Sequence, residues 1–237
     1  MHGMDKEWIG QVAWAGDQFV KGPIRGVVLS FHGLGFTDLK TQPSTVELGW
    51  AQAGGLVVFP YLGPWSWMNR QCRQFVDELV DAVYACFNLS DQTPLIATGG
   101  SLGGLGSLLY TRYSKRRVSA CLALFPVCDA KYSFSERPDV PRTVHYAFRG
   151  YNEDWEELFA EHSPLSQIDR MPDIPYLIIH GDQDAAVSKA HHSDPMVAAM
   201  RARKMNVEYM EVAGMGHGSP MPVEVIEKQV RFVSDFL

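Results

Sequence analysis

No apolar run in the chain approaches the roughly 20 residues that a membrane-spanning helix needs, so no membrane partner is expected. The opening stretch "MHGMDKEWIGQVAWAG" lacks an uninterrupted apolar core after a basic start. It therefore does not read as a signal peptide, and His2 within it is given no role. Basic residues are outnumbered, with 21 Lys and Arg against 27 Asp and Glu and a net charge of −6. A nucleic-acid surface needs clustered cations and is not expected. The one basic cluster, Lys115, Arg116 and Arg117, reads as a solvated helix end. Cysteine is sparse: Cys72, Cys86, Cys121 and Cys128 lie in apolar-patterned segments without a C-x-x-C pair. They read as reduced core residues, which points to a cytoplasmic protein. There is no internal repeat or low-complexity tract, and a composition 46% hydrophobic and 20% charged excludes disordered and fibrous classes.

What is present is a regular alternation of β-rich and helical segments, the sequence form of a buried, mainly parallel sheet. Strands are expected at residues 26–31, 56–61, 94–99, 118–125, 175–180 and 207–212. Between residues 69 and 88, Phe75, Leu79, Val83 and Phe87 recur at helical spacing, and Ile226, Val230, Val233 and Leu237 mark a terminal helix. Asp194-Pro195 reads as an N-cap followed by proline at the first helical position, with Lys204 in the last turn. The expected architecture is α/β, with helices on both faces of the sheet and one domain over residues 1–237. The aromatic- and proline-rich stretch 130–170 stands apart as a lid-like or irregular surface insert.

The chemistry concentrates at strand ends. "ATGGSLGGLGS" places Gly99, Ser101 and Gly103 in a Gly-x-Ser-x-Gly arrangement between a strand and a plausible helix. A serine on such a tight turn has an exposed hydroxyl, and the helix start behind it aims backbone N–H groups, Leu102 foremost, at a developing negative charge. Upstream, His32-Gly33-Leu34-Gly35 follows the first long strand, where the Leu34 N–H can complete an oxyanion hole. His32 itself reads as structural. Serine needs a base and an orienting acid. "IIHGDQDAAVS" offers Asp182 and Asp184, and "EVAGMGHGSP" offers His217, in the chain order Ser, Asp, His.

This arrangement resembles the α/β-hydrolase superfamily and, from about residue 26 onward, the catalytic domain of prolyl-oligopeptidase-type serine hydrolases. The resemblance implies the α/β-hydrolase fold, Ser101 as nucleophile, His217 of "GMGHG" as base and Asp184 of "HGDQD" as acid, while "EHSPLSQIDRMPDIPYLIIHG" is similar to the family's approach to the acid-bearing strand. Two departures stand out. No propeller is expected before the domain, and the nucleophile implied is serine where dienelactone hydrolases of similar size use cysteine.

Other readings stay open beside these. Asp182 or Asp129 could supply the acid, although an Asp beside a turn more often bonds local backbone. His180, Asp182, Asp184, His191 and His192 show no recognised ligand spacing, so neither metal nor cofactor is expected. His145, His162, His191 and His192 read as exposed or locally bonded. In "YLGPWSWMNRQ", Trp65, Trp67 and Met68 could wall a pocket and Arg70 could meet a carboxylate, or the tryptophans could only pack the loop. Tyr146, Phe148, Tyr151, Trp155 and Phe159 of the insert offer apolar surface for an acyl group. The sequence-level expectation is a carboxylic ester hydrolase acting on a small-molecule ester, with a serine peptidase or a non-catalytic binding protein as alternatives. Oligomeric state is left open.

Overall fold

Side chains on a strand alternate between the two faces of its sheet, and in this chain both faces are apolar. Val27, Leu29 and Phe31 enter one buried cluster while Val28 enters another. Leu56 and Val58 oppose Val57 and Phe59, and Tyr176 and Ile178 oppose Leu177 and Ile179, in the same way. Such strands must be covered on both sides, and the helices between them provide the cover.

The structure is a computed structural model that describes residues 5–237; His2 lies outside the described residues. Its strands are β1 (Ala13–Ala15), β2 (Gly26–Phe31), β3 (Gly55–Pro60), β4 (Leu95–Gly100), β5 (Ala120–Leu124), β6 (Tyr176–Gly181) and β7 (Val207–Val212). Among the described residues they form one seven-stranded sheet in the order β1-β3-β2-β4-β5-β6-β7. All neighbours are parallel except β1 and β3. The chain thus runs outward from β2 to β3, then resumes on the other side of β2 with β4. That reversal is the switch point at which open α/β sheets leave a crevice beyond their strand ends.

The helices are α1 (Lys6–Val12), α2 (Thr45–Gln52), α3 (Arg70–Cys86), α4 (Leu102–Tyr113), α5 (Ala130–Glu136), α6 (Val140–Ala147), α7 (Trp155–His162), α8 (Ser193–Ala202) and α9 (Val223–Ser234). Ser44 and Glu47 close a capping box at the start of α2, and the Asn69 side chain caps α3. Among the described residues no helix is long and apolar enough to cross a membrane.

All six expected strands form, with bounds shifted by at most two residues. Several local expectations are corrected. Helix α8 begins at Ser193, so Asp194 lies in its first turn and is not its cap; the carboxylate is drawn away by Lys189 at 2.8 Å and by the Tyr209 hydroxyl at 2.7 Å. Lys204 falls beyond the helix with a φ of 57°. Arg116 is not a solvated helix-end cation: it pairs with Asp91 at 2.9 Å and lies 4.0 Å over the Tyr84 ring. The 130–170 stretch folds as α5, α6, α7 and a 3-10 turn at Pro164–Arg170. Phe148 and Phe159 turn into the core.

His162 is fully buried against Arg73, with its Nδ1 2.8 Å from the Leu158 carbonyl. Burial pushes its pKa down from 6.5 to about 4, the Leu158 carbonyl opposing and Arg73 reinforcing the shift. The unfolded chain therefore binds the extra proton first. The stabilisation is complete above pH 6.5 and is lost as pH falls from 6.5 towards 4. Replacing His162 by Gln should remove about 2 kcal/mol from the difference in unfolding free energy between pH 7.5 and 4.5, measured by urea titration. An unchanged difference would exclude His162 as the source.

Candidate active site

The turn that follows β4 cannot relax. Ser101 has φ 59° and ψ −124°, a conformation costly for a residue with a Cβ. Hydrogen bonds hold it there: the Ser101 N–H donates to the Leu124 carbonyl at 2.9 Å, and its own carbonyl accepts from Gly104 N–H at 3.0 Å. Space decides the flanking residues. A Cβ at Gly99 would lie 2.3 Å from the Gly103 carbonyl oxygen, and one at Gly103 would lie 2.1 Å from that of Phe31. Only hydrogen at both positions lets β4 and α4 close against β2.

The turn aims the Ser101 hydroxyl at His217. Ser101 Oγ lies 3.1 Å from His217 Nε2, and His217 Nδ1 lies 2.8 Å from Asp184 Oδ2. The three residues come from the loops after β4, β7 and β6, all at the carboxyl edge of the sheet. The Asp184 side chain is 1% exposed, and its Oδ1 accepts the N–H groups of Ala186 and Val187, each at 2.9 Å. Burial pushes its carboxyl up, but bonds to His180, His217 and these two amides outweigh that and hold it well below the usual carboxylate range. An ionised Asp184 accepts only, so His217 Nδ1 carries the proton and Nε2 offers its lone pair to the serine hydroxyl.

His180 is a contact that sequence reading did not assign. Its Nε2 lies 3.3 Å from Asp184 Oδ2 and 3.0 Å from the Val187 carbonyl, while its Nδ1 lies 2.6 Å from Ser193 Oγ. The i, i+4 spacing of His180 and Asp184 was visible, but its meaning depends on the loop turning back. Phe125 was also missed. It sits at φ 33° after β5, and its ring stands 4.7 Å from the His217 imidazole.

Asp182 does not face His217. Its carboxylate accepts the Gly214 N–H at 2.7 Å and so ties the histidine-bearing loop to the end of β6. Asp129 caps α5 by accepting the Tyr132 N–H at 2.9 Å. His32 is buried, its Nδ1 3.0 Å from the Gly33 carbonyl, and burial lowers its pKa despite that bond. His191 stacks on Tyr132 at 3.9 Å, whereas His145 meets Trp155 edge-on at 4.8 Å. His192 corrects its expectation: it is fully buried, accepts the Cys128 N–H at 3.1 Å through Nδ1, and lies 3.1 Å from Glu136 through Nε2.

Ser101 opens into a cavity of about 540 Å³ lined by Gly33, Leu34, Gly35, Trp65, Arg142 and His217, among others. Sharing Leu34 and Ser101 with it, a smaller space of about 20 Å³ is walled by Trp67, Leu102, Val127 and Val187. Leu34 and Leu102 thus flank the serine, and Leu102 holds the first position of α4, where a backbone N–H has no carbonyl to bond within the helix. Trp65 lines the larger cavity. Trp67 is 1% exposed and donates from Nε1 to Thr143 Oγ1 at 2.9 Å, and Met68 is buried in the core.

Arg70 departs from its expected place. It lines neither cavity, and Glu153 at 2.6 Å and Glu161 at 2.5 Å take up its guanidinium. The aromatic residues of the insert do not line these cavities either; residues of the α5–α6 segment, among them Arg137, Val140, Arg142 and Thr143, do so instead.

Residues 67–237 match the prolyl oligopeptidase family. No curated protein sequence matches the chain. Among solved structures, a puromycin-hydrolyzing peptidase of Mycobacterium tuberculosis superposes with a TM-score of 0.67 at 20% identity, covering 90% of this chain and 33% of that one. The acylaminoacyl peptidase of Pyrococcus horikoshii gives 0.76 at 14%, covering 94% and 38%. A truncated carbohydrate esterase from gut microbiota gives 0.68 at 16%, covering 91% and 87%. The chain therefore spans about a third of the length of the two peptidases it resembles.

The end of β6 and the loop after β7 touch without a gap: a Cβ at Gly181 would lie 1.9 Å from the Met215 carbonyl oxygen. Gly181→Ala should force the 213–217 loop outward and lower unfolding free energy by about 2 kcal/mol, the scale of overpacking. Chemical denaturation checks this, and a change under about 0.5 kcal/mol, the size of a neutral surface substitution, would contradict it.

Proposed function

The chain belongs to the prolyl oligopeptidase family of serine hydrolases, and on that premise we propose that it hydrolyses carboxylic esters through an acyl-enzyme formed on Ser101. The observation that carries this reading is the continuous relay from Ser101 Oγ to His217 at 3.1 Å and from His217 to Asp184 at 2.8 Å, opening on a cavity.

Ser101 Oγ attacks the ester carbonyl carbon as its proton passes to His217 Nε2. Asp184, ionised and fixed by its own donors, stabilises the resulting imidazolium and keeps the ring in place. The carbonyl oxygen, now carrying negative charge, takes the Leu34 and Leu102 N–H groups as donors. His217 returns the proton to the departing alkoxide, the acyl group remains on Ser101, and a water activated by the same imidazole completes hydrolysis. No metal or cofactor enters these steps.

Esters are preferred to amides on chemical grounds. An alkoxide departs readily, whereas an amine must be protonated in the right geometry, which demands closer substrate positioning. The carbohydrate esterase, of which this chain covers 87%, supports an ester reading. A second reading, a peptidase on the same three residues, is favoured by the family's description and by the two peptidases of like fold.

Ser101→Ala should abolish turnover and labelling by a fluorophosphonate probe while leaving the unfolding curve nearly unchanged, because only a half-buried hydroxyl with one hydrogen bond is lost. Asp184→Asn should lower kcat by roughly 10⁴ through the wrong imidazole tautomer, and Asp182→Asn should cost far less. Activity of Ser101→Ala within about tenfold of wild type would refute the nucleophile. To separate the substrate readings, kcat/KM is compared for an aryl ester and a peptide amide carrying the same acyl group. The ester is expected to dominate by several orders of magnitude; an amide value above roughly 10⁴ M⁻¹s⁻¹ establishes the peptidase instead.

A further inference from the structure

The rim of the Ser101 cavity carries a cation with no acid partner. Arg142, on α6, lies 4.9 Å over the Trp65 ring, and both side chains line the cavity that holds Ser101 and His217. Trp65 meets Tyr146 edge-on at 5.3 Å, and Arg149 lies 4.6 Å over Tyr146. The result is a row of alternating cation and ring, Arg142, Trp65, Tyr146, Arg149. Among the described residues neither arginine has a carboxylate within ion-pair distance, in a chain whose net charge is −6.

The acids that face the same space are already occupied. Asp139 is held by Arg137, with Nε to Oδ1 at 3.0 Å and Nη2 to Oδ2 at 2.5 Å. Glu136 accepts the Ser188 N–H at 2.7 Å and lies 3.1 Å from His192 Nε2. The acids that could otherwise draw cations from this side of the molecule, Glu153 and Glu161, are bound to Arg70 and Arg73. Arg142 is thus the lining cation left to meet an incoming group. A guanidinium stacked on an indole keeps its N–H edge free and presents a planar fork that matches a carboxylate.

We propose that Arg142, seated on Trp65, is a specificity-determining residue that binds a carboxylate on the substrate, so that the substrates are esters carrying a free acid group. This deepens the acyl-transfer reading of Ser101 and rests on it. The carboxylate can belong to the acyl part or to the alcohol part, and the two sources are separable by experiment.

The test compares two matched pairs. The 4-nitrophenyl monoester of glutaric acid against its methyl-capped form puts the charge on the acyl side; 4-acetoxybenzoate against its methyl ester puts it on the alcohol side. The readout is the ratio of kcat/KM for the anionic over the neutral member. Arg142→Gln keeps a good helix former in α6 and should lower this ratio about tenfold in one of the two pairs, the fold-change of a charged hydrogen bond. Arg142→Lys should restore part of it, and added salt should shrink the wild-type ratio because the pair is solvent-exposed. Ratios within about twofold of wild type in both pairs overturn the proposal.

Fluorophosphonate labelling keeps the two levels distinct. Glutarate or benzoate should protect wild-type Ser101 from the probe, and protection should weaken about tenfold in Arg142→Gln. Labelling without any protection overturns anion recognition alone. Absence of labelling in wild type overturns the acyl-enzyme reading, and the anion inference falls with it.

Discussion

A carboxylate removed from water costs several kcal/mol unless donors surround it, and Asp184 is such a group. Its oxygens face His217 Nδ1, His180 Nε2 and the N–H groups of Ala186 and Val187. Each donor comes from a segment that must then be held in place. His180 belongs to β6, the two amides to the turn beyond it, and His217 to the loop after β7. The same demand fixes proton positions. His180 Nε2 faces only acceptors, Asp184 and the Val187 carbonyl, so it carries the proton and Nδ1 accepts from Ser193 at the start of α8. One buried charge thereby orders two loops, a helix start and two imidazole tautomers.

The backbone supplies the second half of this precision. Strand β4 lies between β2 and β5 at the point where chain direction across the sheet reverses. Glycine is demanded where backbone meets backbone: Gly99 against Gly103 and Gly103 against Phe31 at this point, and Gly181 against Met215 beyond the ends of β6 and β7. Asp182 adds a side-chain tie from β6 to Gly214. The two aspartates of "HGDQD" therefore divide the labour, one holding the histidine's loop and the other the histidine.

How much of this could be read from the sequence follows from the range of the interactions involved. Buried parallel strands are continuous apolar runs, so β2 to β6 were legible; the partly exposed edge strand β7 was marked by its valines, Tyr209 and Met210, whereas β1 is three residues long and too short to show alternation. Ser101 and His217 were legible because each follows a strand in a glycine-rich turn, a local signal, whereas Asp184 was set apart from Asp182 by the resemblance of "HGDQD" to its family. Partnership across the fold leaves no such signal. Arg70 sits in a strand-end loop next to two tryptophans, yet Glu153 and Glu161, distant in sequence, neutralise it. Arg142 sits in an unremarkable short helix and reaches the cavity through packing on Trp65. Asp194-Pro195 fits a helix start by pattern, but the Asp is captured by Lys189 and Tyr209.

These contrasts separate two kinds of residue around Ser101. Those assigned to the reacting atoms in the proposed mechanism stand on the sheet edge, where hydrogen bonds and close backbone contacts leave little freedom. Those that shape the space above come from the 61–71 loop and from α5 and α6, whose short helices gain stability from packing more than from their own length. A change in the second group alters which molecule fits while the Asp184 network stays satisfied. A change in the first leaves a buried charge or lone pair without its partner. On the proposed mechanism, chemistry is confined to the sheet edge and recognition falls to the segments packed above it.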